Sequence, residues 1–296
     1  MCAWKRLGLA LYARLGYHTA HCISEIKGGQ VSKSIKRVVF NQKGGVGKST
    51  ITCNLAAISA ARGRRTLVID LDPQANSTLY LLGSGATTVQ PTVVDFFRQT
   101  VEFTFQDKKP LAHVHATAFD NLFIMPSRPE LEELQAKLES RYKIYKLRDA
   151  LDQMQEFDAV YVDTPPAMGF FTRSALIAAD TCLIPFDCDT FSRQALYTLL
   201  GNAQEIRRDH NQKLSIEGII VNQFQARARL PQQLVDELKE EGLPVLGTYL
   251  SSSVKVRESH EAAKPLIHLA PQHKLTEEYA ALYEALQQPA GVAAAS

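Results

Sequence analysis

The sequence predicts an α/β fold in which a mostly parallel β-sheet is covered by helices on both faces. Two observations predict the sheet. Short apolar runs alternate with helical segments, and each run is apolar at consecutive positions, as in strands buried on both faces. A third observation is the stretch NQKGGVGKST (41–50), which follows the first apolar run directly and matches a phosphate-binding loop.

Seven apolar runs have the length of a strand and fall short of the roughly 18 residues that a membrane-spanning helix needs. They are RVVF (37–40), TLVID (66–70), NLFIM (121–125), AVYVD (159–163), TCLIP (181–185), EGIIV (217–221) and PVLGTYL (244–250). The helices predicted between and after them cover 49–62, 129–156, 191–209, 231–241 and 274–287, and 83–92 is predicted as a loop.

The pattern predicts a single domain over residues 36–287. Residues 1–35 lack it and are interpreted as a disordered extension or a misassigned start. A basic membrane-surface segment and a targeting peptide are the alternatives. The small-residue tail, 288–296, is predicted to be disordered.

Composition and charge limit the function classes. Hydrophobic residues make up 45% of the chain, which suits a globular protein with a core. The net charge is +2, but residues 1–37 hold seven of the 33 basic residues and one of the 31 acidic residues, so the remainder is mildly acidic. Nucleic-acid binding by the domain would therefore need a local basic patch. The five cysteines form no C-x-x-C pair and indicate a reducing cytoplasm.

The phosphate loop lies between a strand and a helix, which is the context that the motif requires. Its glycines allow a tight turn that brings backbone N–H groups onto phosphate oxygens, and the following helix directs its positive dipole end there. Lys48 is expected to reach the β- and γ-phosphates, Ser49 to bind Mg²⁺ and Thr50 to contact a further phosphate oxygen. The predicted nucleotide contacts in the loop are Gly44, Gly45, Val46, Gly47, Lys48, Ser49 and Thr50.

Three aspartates end predicted strands and are expected to converge on this loop. Asp70 and Asp72 follow the second strand in VIDLDPQANST, and Asp163 ends the strand in FDAVYVDTPPA. Ligands of open α/β sheets bind outside the carboxyl ends of the strands, so these carboxylates are predicted to handle metal and water. Asp158, before its strand, is interpreted as a solvated turn residue.

KGGVGKST, LVIDLDPQANST and VYVDTPP together resemble the ParA/MinD family of deviant Walker A P-loop ATPases, and ParA more than MinD. The likeness spans roughly residues 36–287, and SSSVKVRESHEAAKPLIHLAP (251–271) resembles the family's region near the nucleotide base. The resemblance implies a P-loop NTPase fold, ATP and Mg²⁺ as cofactors, and weak intrinsic ATP hydrolysis.

The resemblance also implies roles for individual residues. Lys43 would cross a dimer interface to the phosphates of the partner's ATP and act as a cation supplied in trans, in the manner of an arginine finger. Asp72 would orient the attacking water. Asp163 would be the Walker B acid, Asp70 would support the metal, and Asn222 would recognise adenine.

In ParA relatives the ATP-bound homodimer binds double-stranded DNA without sequence preference, and a ParB-like activator stimulates hydrolysis and release. The resemblance thus implies a cytoplasmic, nucleoid-associated protein that segregates or positions a plasmid, a chromosome or a protein cluster. Phosphate contacts need basic residues on one face. The candidates are Arg227, Arg229, Lys255 and Arg257, although Glu258 follows closely.

Three alternatives remain at this point. A MinD-like membrane ATPase would carry a basic C-terminal helix, whereas LTEEYAALYEAL is acidic, so no stable membrane association is expected. A nitrogenase-reductase-like electron donor would need cysteines for an iron–sulfur cluster, and Cys182 and Cys188 do not occupy the expected positions. The last alternative is a scaffold without ATP turnover.

Overall fold

The structure is a computed structural model that describes residues 34–102, 107–188, 192–225 and 229–288. The predicted extension, up to position 33, and the predicted tail, from position 289, lie outside the described residues. Within those ranges, no helix is both long enough and apolar enough to cross a membrane.

In the described part of the chain, seven strands form one sheet in the spatial order β3-β4-β2-β5-β1-β6-β7. The strands are β1 (Ile35–Val39), β2 (Thr66–Asp70), β3 (His115–Ala116), β4 (Leu122–Met125), β5 (Ala159–Asp163), β6 (Thr181–Asp187) and β7 (Ser215–Asn222). All neighbours pair in parallel except the short β3, which is antiparallel to β4. The predicted mostly parallel sheet is confirmed.

The described residues also form eleven α-helices, and two 3-10 helices at Gly83–Thr87 and Pro110–His113. The α-helices are α1 (Lys48–Ala61), α2 (Asn76–Leu82), α3 (Val93–Gln99), α4 (Leu131–Ser140), α5 (Lys146–Leu151), α6 (Phe170–Ala178), α7 (Ser192–Asp209), α8 (Arg229–Glu240), α9 (Lys255–Glu261), α10 (Leu266–Leu269) and α11 (Lys274–Ala285).

Each face of the sheet has its own hydrophobic core, as β1 illustrates. Val38 belongs to a core with Phe97 on α3 and Phe170 on α6. Its neighbour Val39 belongs to the other core, with Ile51 on α1 and residues of α11. Successive side chains of a strand point to opposite faces, so a run of apolar residues fills both cores.

Two predicted elements are wrong in detail. The single helix predicted over 129–156 is divided into α4 and α5, because Tyr142 between them adopts a φ of 53° that ends the first helix. A side chain rarely occupies this left-handed region inside a helix.

The strand predicted over 244–250 is absent from the described sheet. Pro244 has no N–H, and the segment reaches β7 only through separated hydrogen bonds. Ile219 donates to the Pro244 carbonyl (2.8 Å), Leu246 donates to the Ile219 carbonyl (3.0 Å), and Leu250 donates farther along β7. A regular ladder cannot form across so uneven a spacing, so the segment borders the sheet without joining it.

The strand order brings the predicted site together. β1 lies beside β5, and β5 lies beside β2, so the carboxyl ends of these three strands meet at one edge. Asp163 pairs in register with Val39 on one side and with Asp70 on the other. The phosphate loop and the two aspartate segments therefore emerge next to one another.

A buried ion pair joins elements that are far apart in the sequence. Arg37 on β1 is 1% exposed, and its Nε and Nη2 donate to the Glu217 carboxylate on β7 at 2.8 and 2.7 Å. Nη2 also donates to the Leu286 carbonyl after α11 (2.8 Å), and Thr181 on β6 donates to Glu217 (2.6 Å). The guanidinium thus ties three strands to the last helix.

Replacing Arg37 by methionine is expected to lower the free energy of unfolding by about 3–5 kcal/mol, because Glu217, whose side chain is only 16% exposed, would lose the charge that compensates it. Denaturant titration followed by circular dichroism measures the change. The matched control is Arg62→Met, since Arg62 pairs with Glu284 at 2.9 Å between α1 and α11 but both side chains are more than half exposed. That variant should lose less than about 1 kcal/mol, and equal effects of the two substitutions would contradict the account.

Candidate nucleotide-binding site

The phosphate loop connects β1 to α1 and takes a shape that favours glycine at two positions. Gly45 and Gly47 have φ angles of 77° and 87°, in the left-handed region. A Cβ atom on Gly47 would lie 2.5 Å from Nδ2 of Asn222. Gly47 immediately precedes α1, whose first N–H groups lack partners within the helix and attract an anion.

Lys48 places a cation inside the site. The side chain is 7% exposed, and its Nζ donates to the Lys43 carbonyl at 3.0 Å. Burial lowers the pKa of Lys48, and the charges of Asp163 and Asp72 oppose this shift. The structure therefore holds this lysine between the loop and two carboxylates, where a phosphate group would satisfy its remaining donors.

Asp163 at the end of β5 is the carboxylate with an unused oxygen. Its Oδ2 accepts a hydrogen bond from Ser77 (2.7 Å), whereas Oδ1 is buried without a partner among the described residues. Burial raises the pKa of Asp163 to about 6, and the Ser49 and Ser77 hydroxyls oppose the rise. An unpaired buried oxygen is costly and indicates that a ligand belongs there.

Asp70, at the end of β2, accepts hydrogen bonds on both carboxylate oxygens. Oδ1 accepts from Asp72 N (3.1 Å), and Oδ2 accepts from both the N–H (2.8 Å) and the hydroxyl (2.7 Å) of Thr78. Burial, together with the neighbouring Asp163, raises the pKa of Asp70 well above its usual range. The hydrogen bond from Asp72 N ties Asp70 to the segment that contains Asp72, and the metal-supporting role of Asp70 stays a prediction.

Asp72 itself lies at the wall of the site and is 6% exposed. Its Oδ1 accepts from Gln74 N at 2.9 Å, which fixes the turn after β2. Burial raises the pKa of Asp72, while the Gln74 N–H and the Lys48 charge lower it. The charges of Asp72 and Lys48 therefore interact within the site.

These side chains fit a magnesium ion that is shared with phosphates. Among the described residues, no three His, Cys, Asp or Glu side chains cluster as a ready-made metal site. Mg²⁺ in nucleotide sites needs only one or two protein ligands and keeps water and phosphate oxygens as the others. The Ser49 hydroxyl and the unpartnered Oδ1 of Asp163 supply the right donor chemistry.

The affinity for a Mg²⁺–nucleotide complex is expected to fall below pH 6. Ionised Asp163 favours the metal, and because burial raises its pKa to about 6, acidification protonates it. The decrease should approach about tenfold per pH unit towards pH 5, with little change above pH 7. Titration of a fluorescent nucleotide with Mg²⁺ across this range measures it, with Asp163→Asn as the control. A wild-type affinity as flat as that of the control would contradict the prediction.

Lys43 lies at the entrance of the loop and turns away from Lys48. Its Nζ donates to Asp187 at the end of β6 (3.0 Å), and its N–H donates to Asn41 (2.8 Å). The side chain remains 40% exposed. Asp187 was not predicted as a site residue, although this aspartate ends an apolar strand as Asp70 and Asp163 do.

A cavity of about 340 Å³ opens beside the loop and is large enough for a nucleoside. Its lining consists of Gly45, Gly47, Thr50, Asn222, Gln223, Ser251, Ser252, Ser253, Val254, Val256, Arg257, Leu275 and Tyr279. Nδ2 of Asn222 donates to the Val46 carbonyl (2.9 Å), and Nε2 of Gln223 donates to the Gly45 carbonyl (3.2 Å). Both amides thus hold the loop from the cavity side, and the contact of Gln223 was not predicted.

The described DNA candidates lie on two helices, α8 and α9. Arg227 lies outside the described residues, and Arg229 begins α8 as an exposed residue. Lys255 on α9 pairs with Glu258 at 2.5 Å, which offsets part of its charge. Arg257, also on α9, lines the nucleotide cavity, whereas the sequence-based hypothesis assigned it to DNA.

A strand, a glycine loop with Lys48 and Ser49, and a strand-end carboxylate define the site of a P-loop nucleoside triphosphatase. The family model described as AAA domain matches residues 33–216. The chain is 33% identical to the chromosome partitioning protein ParA of Myxococcus xanthus (82% of this chain, 84% of the relative) and 31% identical to the sporulation initiation inhibitor protein Soj of Bacillus subtilis (81% and 93%). The chain therefore belongs to the ParA family of deviant Walker A ATPases, as its motifs predicted.

Solved structures agree on the fold. A variant of Cyanothece McdA in complex with ATP superposes with a TM-score of 0.75 and 24% identity, over 86% of this chain and 97% of that one. Cobyrinic acid a,c-diamide synthase from Mycobacterium smegmatis, with bound ADP and magnesium, gives a TM-score of 0.73 and 24% identity, over 86% and 94%. The predicted P-loop fold is confirmed.

Proposed function

We propose that this protein is an ATP-operated positioning switch. It binds ATP with Mg²⁺, closes into a homodimer, binds double-stranded DNA without sequence preference and hydrolyses ATP slowly until a ParB-like partner stimulates it. The cargo is a plasmid, a chromosome region or a protein cluster, and the protein works on the nucleoid in the cytoplasm. The ParA and Soj names of its relatives support a role in partition.

One observation supports the proposed dimer. Lys48 already supplies a buried cation to its own site, while Lys43 is held at the rim by Asp187 and stays partly exposed. An exposed ion pair of this kind contributes at most about 1 kcal/mol, so stability alone gives little reason for a second lysine. This supports a role for the rim cation in which it leaves Asp187 and reaches the phosphates of a facing protomer.

Each residue of the site then has a defined task. The loop N–H groups and Lys48 bind the phosphates, and Ser49 and Asp163 hold Mg²⁺, which neutralises phosphate charge when bound. Asp72 orients the attacking water, Lys43 of the facing protomer offsets charge on the transferred phosphoryl group, and Asn222 and Gln223 border the base. Such a reaction depends on positioning and electrostatics rather than on covalent chemistry.

The packing of α11 argues against this helix as a membrane anchor. Its apolar side chains Leu275, Tyr279 and Leu282 are buried in the core that also contains α1. Glu278 accepts hydrogen bonds from the N–H (2.7 Å) and hydroxyl (2.6 Å) of Ser251. A helix held in this way has no apolar face to insert into lipid.

Light scattering and DNA retention test the proposal. With ATP and Mg²⁺ the protein should double its mass and bind two unrelated DNA duplexes equally, and with ADP it should do neither. Retention should weaken steeply as salt increases, because counterion release provides the affinity. Anionic liposomes serve as the matched control surface. Binding to liposomes but not to DNA would favour the MinD-like alternative, and a monomer with ATP would refute the dimer.

A further inference from the structure

Helix α9 contacts both elements that border the phosphate site. Nε2 of His260 lies 2.9 Å from the Thr50 hydroxyl on α1. The same imidazole stacks on Tyr80 of α2, with 4.1 Å between the ring centroids and 13° between the planes. Ser259 adds a hydrogen bond to the Tyr80 hydroxyl (2.8 Å). α2 follows the segment that contains Asp72, so α9 is joined to both sides of the site.

The hydrogen bond between Thr50 and His260 is sensitive to what occupies the site. Thr50 lines the nucleotide cavity and is expected to contact a phosphate oxygen. A hydroxyl has one proton to donate. Once Thr50 donates that proton to phosphate, it can only accept from His260, which must then carry a proton on Nε2. Occupation of the loop thereby fixes the direction of this hydrogen bond.

We propose that His260 is a positioning residue that couples occupation of the phosphate loop by nucleotide to the placement of α9. The two contacts of the imidazole are suited to this task, since the hydrogen bond reports on Thr50 and the stack fixes the ring against α2. A histidine with only a packing role would need the stack alone.

Helix α9 also carries two basic residues, and the effect of the coupling on DNA binding rests on the proposed function. Lys255, at its first position, is a candidate DNA contact, and Arg257, one half-turn later, lines the nucleotide cavity. A short helix moves as a unit, so a change at His260 shifts both cations. Nucleotide binding thereby sets the position of a cation that DNA would meet.

Amide hydrogen exchange of α9, with and without a non-hydrolysable ATP analogue and Mg²⁺, tests the coupling. In the wild type, nucleotide should slow exchange across Lys255–Glu261. His260→Phe keeps the stack and loses the hydrogen bond, so the slowing should disappear and the dissociation constant of the analogue should rise about 2- to 10-fold. His260→Gln keeps a hydrogen-bonding amide and should restore part of both effects.

The matched control is His268→Phe. His268 on α10 also stacks on an aromatic ring, with its centroid 4.5 Å from that of Phe119, and it does not line the cavity. This variant should behave as the wild type does. Thermal unfolding without nucleotide shows whether each variant is folded before it is compared.

Two outcomes would overturn the inference. The first is amide hydrogen exchange in wild-type α9 that does not change when nucleotide is added. The second is a nucleotide effect on this exchange that persists in His260→Phe. If the effect is lost in His260→Phe while the wild-type protein does not bind DNA in the presence of ATP, the coupling stands and only the proposed DNA role fails.

Discussion

Replacing Lys43 by alanine is expected to reduce partner-stimulated ATP turnover by about 10³-fold, the lower end of what a trans-acting cation contributes. Binding of ADP should change little, because Lys48 provides the inner cation and Lys43 is bonded at the rim to Asp187. The ATP-dependent increase in mass should disappear together with turnover. Phosphate release and light scattering measure the two effects.

The size of the loss in ATP turnover distinguishes a Lys43 that acts in trans from a Lys43 that acts only through its own ion pair. If the lysine acted only through its ion pair with Asp187, alanine would cost at most about 1 kcal/mol and turnover would fall about fivefold or less. The matched control is Lys36→Ala. Lys36 is a residue of β1, and its side chain also pairs with an aspartate, the exposed Asp152, at 2.6 Å. It lies at the opposite end of β1 and should leave turnover unchanged. A small and equal effect of both variants would contradict a trans role.

Replacing Asp72 by alanine is expected to slow ATP hydrolysis by about 10²-fold or more while ATP still binds, because water is no longer oriented beside the phosphates. Under the proposed function, the variant should remain in the dimeric, DNA-bound state because it cannot leave that state through hydrolysis. Single-turnover hydrolysis and the lifetime of the complex on DNA measure this separation of binding from turnover.

Asp158→Ala is the matched control for Asp72. Asp158 precedes β5 at the opposite edge of the sheet, where its carboxylate accepts from Arg65 N (2.8 Å). Loss of this contact should leave hydrolysis within about twofold of the wild type, since surface contacts far from the chemistry contribute little. If Asp72→Ala also hydrolysed ATP at the wild-type rate, another group would have to orient the water.

The sequence alone predicts the parts of the site that are formed by residues close together in the chain. The spacing of the glycines and Lys48 defines the loop, and a buried strand that ends in aspartate indicates where Asp163 will lie. These local signals are sufficient for the fold class and for the family. They also identify the carboxylates before any contact is known.

The remaining features depend on which strands and helices become neighbours. The Lys43–Asp187 pair requires β6 to lie beside β1, and the Thr50–His260 contact requires α9 to lie over the loop. The hydrogen bonds that Asp70 accepts from Asp72 and Thr78 likewise depend on the folded turn, and the sequence does not show them.

The position of β1 in the sheet has a consequence for synthesis of the chain on the ribosome. β1 enters the sheet between β5 and β6, and Asn222 secures the loop that follows it. Contacts between such remote segments form late and slowly. A nascent chain that ends before β7 therefore has the sequence of the phosphate loop without the surroundings that shape it, and we expect it to acquire affinity for nucleotide only after most of the polypeptide has emerged.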